Sequence, residues 1–155
     1  MTSVSQSGTT VTIQGTGFSN QLESNIVSIG ESGSCTVQSA SATTIVCNII
    51  NAPAGQHVLQ VNIADKGLAS SSTVHLVNVP LVISSFSPNG GDSGGGYQLT
   101  VIGSGFSSNT LIQLGNNYCI NITLLDFTTI QCIIPPSSSA SLIQVPVKGN
   151  DGTNT

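Results

Sequence analysis

The sequence predicts an all-β chain built from two tandem copies of one small sandwich domain. Three observations predict it. A set of phrases occurs twice at a spacing of 84 to 88 residues. Short apolar runs alternate with polar residues at the period of a strand, and Gly, Ser and Asn clusters separate them. No long run shows the 3.6-residue apolar period of a helix.

In chain order, "TVTIQGTGFS" (Thr10 to Ser19) matches "QLTVIGSGFS" (Gln98 to Ser107), setting Gly15, Gly17 and Phe18 on Gly103, Gly105 and Phe106. "VSIG" (Val27 to Gly30) matches "IQLG" (Ile112 to Gly115), and "TTIVCNII" (Thr43 to Ile50) matches "TTIQCIIP" (Thr128 to Pro135). "LQVNI" (Leu59 to Ile63) matches "IQVPV" (Ile143 to Val147). Val11-Thr12-Ile13 and Val58 to Ile63 alternate as half-buried strands do. Several short strands at regular spacing, with turn signals between them, describe a sandwich of the immunoglobulin type. "STVHLVNV" (Ser72 to Val79) reads as the last strand of copy one and "PLVISSFSPNGG" (Pro80 to Gly91) as the opening of copy two. The copies are therefore 1–79 and 80–155. No flexible spacer joins them, which favours a stiff pair. Each copy is small, so a covalent staple is expected to support its core.

Charge is the unusual feature of the composition. Only 5% of residues are charged, there is no arginine, and the only lysines are Lys66 and Lys148. Soluble domains average about 25% charged residues. Nucleic-acid binding needs cations to displace counterions from phosphates, and a net charge of -4 opposes it. Anionic membrane surfaces are disfavoured for the same reason. No apolar stretch is long enough to span a bilayer, so direct membrane insertion is not expected. Met1-Thr2-Ser3-Val4-Ser5 has neither a basic nor an apolar leader segment, so a secreted protein would be represented here by a mature or excised form.

The segment from Ser87 to Pro136 resembles an IPT/TIG domain, the immunoglobulin-like module shared by plexins, transcription factors and Met-type receptors. The resemblance rests on Pro88 and Gly91, Gly95 through Gly103, Phe106, Ile112 through Gly115, Cys119, Cys132 and Pro135. Copy one keeps Gly15, Phe18, Gly30, Cys35, Cys47 and Pro53. Its ending "GQHVLQVNIADKGLAS" is similar to the repeats of fibrocystin-like ectodomains. Copy one departs from the pattern in lacking the Pro-x-x-Gly opening, so its first strand is expected to be missing. Copy two has no counterpart to Ser72 to Val79, so its closing strand is expected to be missing too. Two readings of these gaps stay open: truncation of a longer array, or strands donated by a neighbouring subunit, because open edges template pairing.

Cys35 and Cys47 flank a hairpin expected to centre near Ser41, and Cys119 and Cys132 flank one near Leu125 and Asp126. This would set each pair directly opposite, within reach of a disulfide. Four cysteines allow three connectivities, and the repeat favours pairing within each copy. Buried free thiols and a metal site are the alternatives. There is no Cys-x-x-Cys, and His57 and His75 lack companion ligands, so no metal and no cofactor are expected. Disulfides point to an extracellular or cell-surface location. The second pair is spaced thirteen residues apart against twelve in the first, which suggests a bulge or longer turn. Asn121-Ile122-Thr123 is the complete N-glycosylation sequon. Simple alternation puts Ile120, Ile122 and Leu124 on one face and leaves Asn121 and Thr123 exposed. Ser70-Ser71-Ser72 and Ser137-Ser138-Ser139 are candidates for O-linked glycans on a surface short of charge.

The six carboxylates, Glu23, Glu31, Asp65, Asp92, Asp126 and Asp151, are scattered, and no nucleophile motif or phosphate loop accompanies them. No catalytic residue is proposed. A carbohydrate-binding module would need stacking aromatics, and the chain offers no Trp and only Tyr97 and Tyr118. The expected function is an adhesion, recognition or assembly module of a longer cell-surface or fibrous protein. Its expected partners are neighbouring IPT/TIG domains of the same or another chain, a second copy in an oligomer or filament, or a protein ligand.

Overall fold

The computed structural model describes residues 1–91, 93–136 and 147–150, the last four through their backbone alone. The chain divides into two compact units, Met1–Pro80 and Leu81–Thr155, one residue beyond the expected boundary. Among the described residues, strands and a single 3-10 turn make up the regular structure.

Unit one contains β1 (Ser3–Ser7), β2 (Thr10–Gln14), β3 (Asn25–Ile29), β4 (Gly33–Ala40), β5 (Thr44–Asn51), β6 (Gly55–Ile63), β7 (Gly67–Leu68) and β8 (Leu76–Val79). They hydrogen-bond in the order β1-β2-β5-β4-β3-β6-β7, with β8 also on β6. β4 joins the two halves: Gly33 to Cys35 pair with β3, and the strand as a whole pairs with β5. Val11, Ile13, Ile45, Cys47 and Ile49 thus meet Val27, Ile29, Leu59, Val61, Ile63, Val77 and Val79 in one buried core. Alternation explains the choice: in β2 the burial runs exposed, buried, half-buried, buried, exposed, so one face is apolar.

The expectation that copy one lacks its first strand is corrected. Ser3–Ser7 pairs antiparallel with β2 through the two-residue loop Gly8-Thr9. In the second unit the strand Val82–Ser87 takes the same place on the strand Gln98–Ser104. The segment was illegible as a strand because it is polar, with Val4 alone packed on the core. A side-chain contact gives one of those polar residues a partner. The Gln6 amide donates to the Asn78 carbonyl (2.6 Å) and accepts from the Asn78 N–H (2.8 Å), occupying both backbone groups at one position of β8.

Unit two contains β9 (Val82–Ser87), β10 (Gln98–Ser104), β11 (Leu111–Leu114), β12 (Asn117–Tyr118), β13 (Ile120–Asp126), β14 (Thr129–Ile133) and β15 (Val147–Asn150). One sheet has the order β13-β14-β10-β9 and the other β12-β11-β15. Leu99, Val101, Ile130 and Cys132 share a core with Phe106, Ile112 and Cys119. β15 holds the place on β11 that β6 holds on β3. The repeat sets Ile143 opposite Leu114, whereas the structure sets Val147 there. The expected absence of a closing strand falls outside the described residues.

Candidate functional site: the two cysteine hairpins

The repeated features converge on one substructure in each unit. In unit one it is the hairpin of β4 and β5 with the Gly15–Phe18 loop against its turn. Gly15 N–H donates to Thr43 O (2.9 Å) and Phe18 N–H to Ala42 O (3.2 Å). Unit two repeats both bonds, from Gly103 to Thr128 O (2.8 Å) and from Phe106 to Phe127 O (3.0 Å). Phe18 and Phe106 are buried beneath these loops. The glycine at each loop start leaves room for the ring. A Cβ on Gly15 would lie 2.6 Å from Phe18 Cζ, and one on Gly103 would lie 2.8 Å from Phe106 Cζ and overlap the Val82 carbonyl.

Behind each loop, a buried polar side chain fixes the connection to the next strand. Asn25 donates to Ser19 O (2.9 Å) and Gln21 O (2.7 Å) and accepts from Ser19 N–H (3.0 Å). In unit two, Thr110 accepts from Ser107 N–H (2.8 Å). Sequence reasoning missed both, because the equivalent positions carry different residue types. The signal was there in the alignment: the offset that sets Val27 to Gly30 on Ile112 to Gly115 also sets Asn25 on Thr110.

The disulfides Cys35–Cys47 and Cys119–Cys132 span Cα separations of 5.5 and 5.7 Å, and all four cysteines are buried. Their placement differs from direct opposition. In β4 and β5 the loop is Ala42-Thr43, closed by Ser41 N–H to Thr44 O (2.8 Å) and by Thr44 N–H to Ser41 Oγ (3.0 Å). The hairpin centre therefore lies beyond Ser41, so Cys47 faces Val37 and Cys35 faces Ile49. In unit two the loop is Phe127-Thr128, again later than expected. Each bridge is a diagonal one. Diagonal neighbours are ordinarily 7–8 Å apart. The register shifts beside each bridge, at Val37/Ser39 and Ile120/Thr123, mark bulges that raise the local twist and shorten one diagonal.

The second bulge also re-sorts the faces of β13. Asn121 has φ 52°, a left-handed conformation that Asn tolerates better than most residues. The extra residue breaks simple alternation, so Cys119 and Ile122 both turn to the core while Ile120 is exposed. Ile122 and Leu124 face inward and Asn121 and Thr123 outward, as expected; Ile120 is the exception.

The remaining candidates do not assemble. His57 Nε2 lies 2.8 Å from Pro53 O, and His75 Nε2 lies 3.0 Å from Ser71 Oγ. Among the described residues no three His, Cys, Asp or Glu side chains cluster as metal ligands. Lys66 Nζ donates to Gly17 O (2.9 Å). Glu23 and Glu31 are exposed on separate turns. Asp65 has φ 68° at its turn. Asp126 closes the β13–β14 turn, accepting from Thr128 N–H (2.7 Å) and from Thr128 Oγ1–H (2.6 Å). Those bonds hold its carboxyl below the ordinary aspartate range. Tyr97 is half-buried against Gly91, and Tyr118 is exposed on β12. Ser70 to Ser72 are exposed. Asp92, Ser137 to Ser139 and Asp151 lie outside the described residues, as does the side chain of Lys148.

Residues 1–76 and 81–155 each match the IPT/TIG domain. The chain belongs to the IPT/TIG domain family. This IPT/TIG pair is 33% identical over 152 residues to fibrocystin-L of Homo sapiens, a match covering 96% of this chain and 4% of that protein. It is 37% identical over 127 residues to fibrocystin-L of Mus musculus, covering 80% of this chain and 3% of that protein. The IPT/TIG pair thus corresponds to a small part of either relative's length. Among solved structures, the full extracellular region of plexin A4 aligns with a TM-score of 0.44 and 22% identity, over 95% of this chain and 15% of that one.

Proposed function

We propose that the chain is a non-enzymatic, extracellular scaffold of two IPT/TIG domains that serves adhesion or recognition within a longer cell-surface protein. The observation that carries this reading is the pair of buried, repeat-equivalent disulfides. Such bonds persist outside the cell and are rare in the cytosol. The resemblance to fibrocystin-L supports the same compartment. With so few charges, and with the described carboxylates held in separate turns, recognition falls to neutral polar edges and loops. The partner that fits best is another protein surface.

Strand exchange into a filament is the weaker reading, because Ser3–Ser7 already fills the first-strand position of unit one. A test of both uses the chain secreted from eukaryotic cells. Coated on beads, it is expected to bind cells through a protease-sensitive surface component. Free chain is expected to elute as a monomer at every concentration tried. Beads that bind nothing would count against adhesion, and elution growing steadily larger with concentration would favour the filament.

A further inference from the structure

The hairpin edges of the two units are treated differently. In unit one the 3-10 turn Leu22–Ser24, anchored by Asn25, lies against β4. In unit two the equivalent connection from Phe106 to β11 is shorter, closes through Thr110, and contains no 3-10 turn. β13 is the terminal strand of its sheet, with β14 as its only strand partner among the described residues. An open edge of this kind, carrying exposed Ile120 and Leu125, is a template for pairing with another chain.

The middle of that same edge carries the sequon. Asn121 is exposed, sits on the bulge with φ 52°, and is followed at the second position by exposed Thr123. The conformation alone would select Asn at this position, but it gives no reason for a hydroxyl two residues later. A bulge at an edge also holds the asparagine clear of the ladder, where an enzyme can reach it. We infer that Asn121 carries an N-linked glycan and that this glycan shields the open edge of β13, doing in unit two what the Leu22–Ser24 turn does in unit one. The inference rests on the extracellular reading, since the modification is made in the secretory pathway. The covalent step joins the Asn121 side-chain nitrogen to the anomeric carbon of a lipid-linked oligosaccharide, releasing the lipid diphosphate and one proton.

The test uses chain secreted from eukaryotic cells and two variants. Thr123→Val destroys the sequon while keeping the bulge asparagine and a β-branched strand residue. Thr123→Ser keeps the sequon. Peptide mapping of wild type and Thr123→Ser is expected to find the glycan on Asn121, and that of Thr123→Val to find it lost. On size-exclusion chromatography the glycosylated proteins are expected to be monomers, and Thr123→Val to shift toward dimer as concentration rises. Enzymatic removal of the glycan from folded wild type should produce the same shift. Unmodified Asn121 in fully disulfide-bonded material would overturn the site. A glycan whose loss leaves the chain monomeric would overturn its shielding role. Free cysteines in the secreted chain would instead overturn the extracellular reading, and the inference with it.

Discussion

At the residue scale, the repeated Gly-x-Gly-Phe phrase is explained by space. Gly15 and Gly103 give each Phe ring its place under the loop, and the loop's own N–H groups then reach the hairpin turn. Gly103→Ala is expected to destabilise unit two by about 1–3 kcal/mol, since its Cβ meets a backbone carbonyl that cannot rotate away. Gly90→Ala is the control, because nothing lies within 4 Å of its would-be Cβ. Denaturant unfolding that moved both variants equally would contradict this. The sequence made the glycines and the phenylalanines legible as a repeated pattern. It left Asn25 and Thr110 unseen, because a buried polar residue is defined by the carbonyls and amides it meets in the fold.

At the element scale, the hairpins show why register is harder to read than strands. Ser41-Ala42-Thr43-Thr44 contains no Gly, Pro or Asn to mark the turn, so the midpoint between two cysteines was the natural guess. The side chains that close the turns, Ser41 and Asp126, were visible, but their role depends on a hydrogen bond two or three residues ahead. Polar β1 was missed for a related reason: its Gln6 side chain bonds the Asn78 backbone of β8, a contact that only the fold brings together. Asp126 supports a pH prediction. Its folded-state pKa is depressed, so its contribution is complete above the unfolded value near about 4 and is lost as pH falls through the lower folded value. Asp126→Asn is expected to remove this dependence. NMR titration of the Thr128 amide would test it, and an identical acid response in wild type and variant would count against the turn contact.

At the scale of the whole molecule, each unit closes its own core and carries its own staple. A loop of this size contributes about 3 kcal/mol in the chain-entropy model. Replacing Cys35 and Cys47 together with Ala is therefore expected to lower the unfolding temperature of unit one by roughly 15 °C. Amide exchange should quicken across residues 1–80 and stay unchanged in the β10–β14 core. Equal loss of protection in both units would show that their stabilities are coupled. The fold class, the repeat and the identity of the cysteine pairs were legible because they depend on residue type and spacing. The faces of β13 were legible only in part, since one inserted residue at Asn121 inverts the alternation on one side of the bulge.

The central claim is that two IPT/TIG domains, each held by its own disulfide, form an extracellular scaffold. Non-reducing peptide mapping of the chain recovered from the medium of secreting cells tests it most directly. We expect linked peptides joining Cys35 to Cys47 and Cys119 to Cys132, with no free thiol after denaturation. Free cysteines, or a bond joining a cysteine of one copy to a cysteine of the other, would contradict it.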